Sequence, residues 1–145
     1  MSRQALLALT LALLLTLPAS ATSCDGAALL TNNTPLGSMC PSYGLPNAGL
    51  AIPLAMQKDS ANVAMITAAA NQQGVPPQLA LAVAYSESQF ASCAGSPTGV
   101  KGPMQLTQAT AKSLGYNRDI NEQNIKGGMA VLKTAIKSCG TSDIA

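Results

Sequence analysis

Apolar residues recur at the spacing of an α-helix from about residue 59 onwards. The first such segment begins at Asp59 or Ser60, either of which can cap a helix, and ends near Gln73, before Gly74. Its apolar positions are Ala61, Ala64, Met65, Ala68 and Ala69. Because these residues share one face, the pattern predicts an amphipathic helix that packs on a core.

A second helix is predicted from Gln78 to about Phe90. Pro76 and Pro77 precede it, where a helix needs no backbone N–H. The run Leu79-Ala80-Leu81-Ala82-Val83-Ala84 makes this helix apolar all round, which is typical of the middle of a core.

Two more helices follow a loop at residues 91–106 that is rich in glycine and proline. Thr107 is placed to cap a short helix that ends near Leu114, and a last helix is predicted from about Asn121 to Cys139. The stripe expected to be buried in this last helix consists of Ile125, Met129, Leu132, Ile136 and Cys139. No alternation typical of strands stands out, so the sequence predicts an all-α fold.

The N-terminus has the pattern of a secretory signal peptide. The apolar run of residues 5–17 follows the positive charge of Arg3 and is too short to cross a bilayer comfortably. Ala19-Ser20-Ala21 has the form of a cleavage site, so residues 1–21 are predicted to be removed. We expect an exported product, periplasmic or extracellular, with no stable membrane span. A lipoprotein signal with Cys24 as the acylated residue is the alternative.

Residues 22–58 show no sustained period and are interrupted by prolines and glycines, so we expect an irregular N-terminal extension. In an exported chain cysteines pair, and four cysteines allow three connectivities. The preferred pattern joins Cys24 to Cys40 within the extension and Cys93 to Cys139, which would tie the central loop to the last helix. A free or lipidated cysteine is the alternative.

The composition excludes several functions. The net charge is only +2 and no basic cluster is present, which argues against nucleic-acid binding. The chain has no histidine, which excludes Ser-His-Asp and Cys-His catalysis and any histidine-ligated metal. No metal or cofactor is implied by the residues that remain.

One carboxylate interrupts the most apolar helix. Glu87 follows Val83 by four residues and Leu79 by eight, and Phe90 follows it by three, so we expect all four on one stripe. A carboxylate there loses hydration, which favours its protonated form, and such a carboxylic acid can act as a general acid. The alternative is a structural glutamate that points outwards or bonds a neighbouring helix.

Several short motifs follow one another from Glu87 onwards. Glu87-Ser88-Gln89-Phe90 is followed by Ser96-Pro97-Thr98-Gly99-Val100-Lys101-Gly102-Pro103-Met104-Gln105-Leu106, by Ala109-Thr110-Ala111, and then by Asn124-Ile125 and Gly128. In this order and spacing they resemble the soluble lytic transglycosylase (SLT) family, lysozyme-like enzymes that cut peptidoglycan. The resemblance covers roughly residues 60–139 and is specific, because several unlike motifs occur in order.

The resemblance implies a lysozyme-like SLT domain over residues 59–145, with Glu87 as the catalytic acid. Glu87 would protonate the glycosidic oxygen between N-acetylmuramic acid and N-acetylglucosamine, and would then act as a base. The expected substrate is a peptidoglycan glycan strand. A secretion or conjugation apparatus is a further partner expected from small members of the family.

Four other residues are candidates for substrate binding. By resemblance, Ser96, Met104 and Gln105 line the cleft near the acid and the sugar. Tyr116 is a candidate surface on which a sugar ring could stack. Each has a structural alternative: a turn for Ser96, core packing for Met104 and Tyr116, and a helix cap for Gln105.

The chemistry implied by the resemblance needs only one acid. Ordinary glycosidases use two carboxylates, but the family is thought to use the 6-hydroxyl of muramic acid as nucleophile, which leaves a 1,6-anhydro sugar. None of the other acids lies in the glycine-rich loop, and capping a helix start explains Asp119 and Glu122. A hydrolytic lysozyme that uses Asp119 or another acid, and a non-catalytic binding remnant, are the alternatives.

The resemblance breaks at the C-terminus. Family members carry an A-Y-N-A-G segment after the N-I-x-x-G helix, and its tyrosine helps to orient the acid. The sequence stops at Ala145, about where that segment would begin. The resemblance therefore predicts an SLT domain that lacks the family's C-terminal portion.

Overall fold

The computed structural model describes residues 34–139, which contain six helices and no strand, only isolated β-bridges. The helices are α1 (Leu36–Met39), α2 (Ile52–Lys58), α3 (Ser60–Gln73), α4 (Pro77–Ser88), α5 (Gln108–Ser113) and α6 (Asn121–Cys139). The prediction of an all-α fold is confirmed. The predicted signal peptide and Cys24 lie outside the described residues.

The four helices predicted from periodicity are present, and local chemistry explains most of their ends. Gly74 ends α3 in the left-handed conformation, with φ of 71°. Thr107 caps α5, since its hydroxyl accepts a hydrogen bond of 3.0 Å from the N–H of Thr110. Asp59, one of the two predicted caps, is the N-cap residue of α3, but its side chain makes no capping hydrogen bond, because the carboxylate accepts one from Asn47 instead.

The N-terminal extension is more ordered than its composition predicts, because it contains α1 and α2 and packs on the rest of the domain. The N–H of Gly44 donates to the oxygen of Cys93 at 3.0 Å, and the N–H of Gly95 donates to the oxygen of Gly44 at 2.9 Å. These bonds form a short parallel bridge between the extension and the loop that follows α4. They bring two segments together that lie 50 residues apart in sequence.

The disulfide follows from this bridge and corrects the preferred cysteine pairing. Cys40 pairs with Cys93, with their Cα atoms 5.3 Å apart, so neither cysteine has the predicted partner. The exposed Cys139 carries a free thiol at the end of α6. Because Gly44 pairs with Ala94, Cys40 lies near the central loop that contains Cys93. The linear sequence does not reveal this contact.

The core forms where α3 packs against both α4 and α6. Alanines on α3 and α4 let the helices approach closely, and larger side chains fill the space between them. The principal core residues are Met65, Ile66, Ala69, Ala80, Ala84, Phe90, Ile125 and Met129. In α6 the predicted stripe is buried at Ile125 and Met129, half-buried at Leu132 and Ile136, and exposed at Cys139, so its last turns leave the core.

Three buried polar side chains join α3, the loop after α4 and the start of α6. Asn62 donates to the oxygen of Phe90 at 2.6 Å and to the hydroxyl of Ser92 at 2.9 Å. Ser92 donates to Asn121, and Asn121 donates back to Asn62, both at 2.9 Å. Because each member both donates and accepts, this closed ring holds the loop after α4 in place without an unpaired polar atom.

Candidate active site

Glu87 lies in the last turn of α4, and its side chain is exposed. The expectation that it is buried on an apolar stripe is therefore wrong. The buried stripe of α4 runs through Ala80, Ala84 and Ser88, one residue further round the helix. A step of one residue turns a side chain by about 100°, which is enough to move Glu87 from the core to the edge of a cleft.

Phe90 does not share the stripe either, because α4 ends before it. Gln89 and Phe90 both have left-handed backbones, with φ of 52° and 70°. The chain turns sharply there and brings the Phe90 ring back into the core, 5.9 Å from the ring of Tyr85.

A cavity of about 300 Å³ opens beside Glu87. On one side it is bounded by α4, and on the other by the segment after Pro103 and the middle of α6. We call it the Met104 cavity; its residues are Val83, Glu87, Met104, Gln105, Leu106, Thr107, Thr110, Gly128, Val131 and Leu132. The lining is mainly apolar with a few polar groups, which is typical of a ligand-binding cavity.

A second cavity of about 210 Å³ lies on another side of Glu87. Its floor is the end of α4, and its wall is a segment of the N-terminal extension that precedes α2. We call it the Leu45 cavity; its residues are Leu45, Ala48, Gly49, Ser86, Glu87, Ser88 and Gln89. Glu87 lines both cavities, so this residue lies between them.

Asn124 of α6 holds the loop that faces Glu87. This fully buried side chain accepts a hydrogen bond of 3.0 Å from the N–H of Met104 and donates to the oxygens of Lys101 and Arg118, at 2.8 and 3.1 Å. Gly102 has φ of 77° and passes so close that an added Cβ would lie 2.6 Å from the amide of Asn124. Glycine is therefore required there both for backbone conformation and for space.

Arg118 also holds this loop in place through hydrogen bonds of its side chain. Its buried guanidinium donates to the oxygens of Gly99 and Leu106, and its Nε donates to the side chain of Gln108 at 2.9 Å. These bonds hold Gly99, in the middle of the loop, and Leu106, at its end, to the same side chain.

The predicted sugar-binding residues separate into two groups. Met104 and Gln105 line the Met104 cavity, although the side-chain nitrogen of Gln105 also donates to the oxygen of Gly102 at 2.8 Å. Ser96 and Tyr116 line neither cavity beside Glu87. The hydroxyl of Ser96 accepts a bond of 2.9 Å from the N–H of Gly99 and closes a turn, and Tyr116 packs beside Gly127.

The other carboxylates of the described residues lie away from both cavities. Asp119 pairs with Lys101 at 2.8 Å, and the ammonium of Lys101 also lies 5.0 Å from the centre of the Tyr43 ring. Glu122 is buried and accepts a hydrogen bond of 2.9 Å from the N–H of Thr34, while Asp59 is bonded to Asn47. Glu87 is thus the single carboxylate of residues 34–139 that lines the two cavities.

Sequence reasoning missed the residues that hold the site together. Ser88, Asn124 and Arg118 make the bonds that fix the loop, and most of their partners are main-chain groups in other segments of the chain. The N-I-x-x-G element was the one available signal for Asn124. Within residues 34–139, no group of three or more cysteine, aspartate or glutamate side chains could hold a metal ion.

Within residues 34–139, the helical fold and the single carboxylate in its cleft are what the resemblance to a lysozyme-like domain predicts. The sequence model of the transglycosylase SLT domain matches residues 64–145, which is more than half of the chain, and the chain belongs to that family. The resemblance found in the sequence is thereby confirmed. No solved structure matches the chain with significance.

Several relatives of known name are similar to the chain. One is the membrane-bound lytic murein transglycosylase F of Desulfosudis oleivorans, 46% identical over 69 residues, or 47% of this chain and 15% of the relative. Proteins of the same name from Vibrio parahaemolyticus and Pseudoalteromonas translucida are 45% and 49% identical, over 41% of this chain and 11% and 13% of their own lengths. The chain thus matches only a small part of each relative. Among the described residues, no helix is long and apolar enough to cross a membrane.

Proposed function

We propose that the chain is a peptidoglycan lytic transglycosylase, which cleaves the bond between N-acetylmuramic acid and N-acetylglucosamine and leaves a 1,6-anhydromuramic acid end. The observation that carries the proposal is the position of Glu87, a single carboxylate that lines two cavities. Membership of the SLT family and the names of the relatives support it.

In the proposed reaction Glu87 begins as a carboxylic acid. It donates its proton to the glycosidic oxygen, the bond from that oxygen to C1 of the muramic acid breaks, and the glucosamine leaves with a hydroxyl group. The Glu87 carboxylate then accepts the proton of the 6-hydroxyl as that oxygen attacks C1. The proton returns to Glu87 and no water is consumed, so a second carboxylate is not needed.

Because Glu87 is exposed, the bound substrate itself would have to shield its carboxyl group from water. Solvent reaches the carboxyl group in the free protein, and a glycan strand lying over both cavities would exclude it. Met104 and Gln105 are the predicted contacts that the geometry supports, since both line the Met104 cavity. Contacts of sugar with Ser96 and Tyr116 stay predictions.

Digestion of purified sacculi tests the proposal. Anhydro-ended products, identified by mass spectrometry, would support it; reducing ends would indicate a hydrolytic lysozyme, and sacculi that bind the protein but stay intact would indicate a binding remnant. We expect Glu87→Gln to lower the rate at least about 100-fold. Asp119→Asn is the matched control, because Asp119 pairs with Lys101 outside both cavities and its loss is expected to leave the rate within about twofold.

We also propose that the protein acts in the cell envelope, in the periplasm or outside the cell. The predicted signal peptide supports export, and the relatives are named as membrane-bound proteins. Service to a secretion or conjugation apparatus stays a prediction from the resemblance.

A further inference from the structure

We propose that the segment from Leu45 to Gly49 forms a substrate-binding wall of the cleft, which contacts an N-acetylated sugar unit across Glu87 from the Met104 cavity. This inference rests on the proposed function and adds a substrate-binding element to it. The wall lies before residue 64, outside the part of the chain that the SLT domain model matches.

The Leu45 cavity lies beside Glu87, which also lines the Met104 cavity. An acid that protonates a glycosidic oxygen must have one sugar unit on each side of that oxygen. Glu87 lines two cavities, and each can take one of these units. The Met104 cavity is built from residues of the matched domain, whereas Leu45, Ala48 and Gly49 build the wall of the other.

The Leu45 cavity is lined by both apolar and polar residues. Leu45 is 68% exposed, although leucine is a large apolar residue, and it stands at the mouth of the cavity beside Ala48 and Gly49. Opposite them, the end of α4 supplies the exposed Ser86 and the side chain of Gln89. An N-acetylated sugar combines an apolar ring face and a methyl group with hydroxyl and amide groups, so it complements both sides.

Hydrogen bonds and a disulfide attach the wall to the helix that carries Glu87 and to the loop after it. The amide of Asn47 donates to the oxygen of Gln89 at 2.9 Å, and the Tyr85 hydroxyl donates to the oxygen of Leu50 at 2.9 Å. Gln89 follows α4 directly, so these bonds fix the wall to the helix that carries the acid. The Cys40–Cys93 disulfide joins the chain that precedes the wall to the loop that follows α4. A wall fixed before binding loses little entropy when the sugar arrives.

Two substitutions test the wall without touching the acid. Ala48→Trp fills the Leu45 cavity, and Leu45→Ala removes its largest apolar contact; both positions are exposed, so the fold is expected to tolerate them. Leu54→Ala is the matched control, because Leu54 is 55% exposed on α2 and lines neither cavity. Melting temperatures verify that all three variants fold.

The measurement is binding to purified glycan strands from which the stem peptides have been removed. We expect Ala48→Trp to weaken binding about tenfold and Leu45→Ala about threefold, with Leu54→Ala unchanged. The proposal is overturned if the Leu45 and Ala48 variants both bind with the parent's affinity. It is also overturned if the parent does not bind, or if the variants lose binding only to strands that carry peptides. If the parent makes no anhydro ends but the wall variants lose binding, the proposed reaction is wrong while the binding element stands.

Discussion

The hydroxyl of Ser88 donates a hydrogen bond of 2.7 Å to the main-chain oxygen of Pro103, 15 residues further along the chain. The bond joins the end of α4 to the loop whose next two residues, Met104 and Gln105, line the cavity beside Glu87. Because Ser88 directly follows Glu87, this bond fixes the distance between the proposed acid and the opposite wall of the cleft.

Replacing Ser88 by alanine therefore should affect catalysis as well as stability. The buried oxygen of Pro103 loses its donor, so we expect the free energy of unfolding to fall by about 1–2 kcal/mol. We also expect kcat to fall about tenfold with little change in KM, since the bond positions groups rather than binding sugar. Denaturant unfolding and rates on sacculi measure the two effects. Ser138→Ala is the control, because Ser138 bonds only within α6; equal kcat values for both variants would exclude a positioning role for Ser88.

Asn124→Ala is expected to lower the stability of the protein more than Ser88→Ala does. It leaves the N–H of Met104 and the oxygen of Arg118 without this partner, while the oxygen of Lys101 keeps the N–H of Leu106. Each unpaired buried group costs about 1 kcal/mol or more, so the variant should lose about 2–4 kcal/mol of stability. Asn71→Ala, at an exposed position of α3, is expected to change stability by no more than about 0.5 kcal/mol. Similar unfolding curves for the two variants would contradict the role given to Asn124.

Local signals in the sequence predicted most of the helical framework. Gly74 and Thr107 mark helix ends through their own backbone and side-chain chemistry, which acts within a few residues. The exposure of Glu87 could not be predicted in the same way. The first turns of α4 are apolar all round, so periodicity does not distinguish a buried stripe through Leu79 and Val83 from the observed stripe through Ala80 and Ala84.

The missed features depend on contacts between distant segments. The Cys40–Cys93 disulfide requires the extension to lie beside the loop after α4, and the ring of Asn62, Ser92 and Asn121 joins three separate elements. No local pattern encodes either arrangement. The candidate site itself was found because its motifs keep the family's spacing, and only the structure shows that Ser96 and Tyr116 lie outside both cavities.

The disulfide should contribute strongly to stability. It joins residues 53 positions apart, and the entropy of a closed loop of this length predicts a loss of about 4 kcal/mol when both cysteines are replaced by alanine. Thermal or denaturant unfolding of the Cys40→Ala/Cys93→Ala variant measures this loss. The control is Cys139→Ala, which removes an exposed free thiol and is expected to change stability by no more than about 0.5 kcal/mol. A double variant as stable as the control would show that the disulfide adds nothing to the fold.

Gly128 should tolerate no side chain, because α6 contacts the Met104 side chain there. A Cβ at this position would lie 2.5 Å from the Cβ of Met104 and would also meet its Cγ, so the clash involves the part of methionine next to the backbone, which cannot rotate away. We expect Gly128→Ala to destabilise the protein by about 1–3 kcal/mol and to lower kcat/KM by displacing Met104 within its cavity. Gly37→Ala is the matched control: nothing lies within 4 Å of its added Cβ, and alanine in α1 is expected to raise stability by about 0.4–1 kcal/mol. If the two substitutions shift the melting temperature in the same direction, the close contact between α6 and Met104 does not constrain the folded protein.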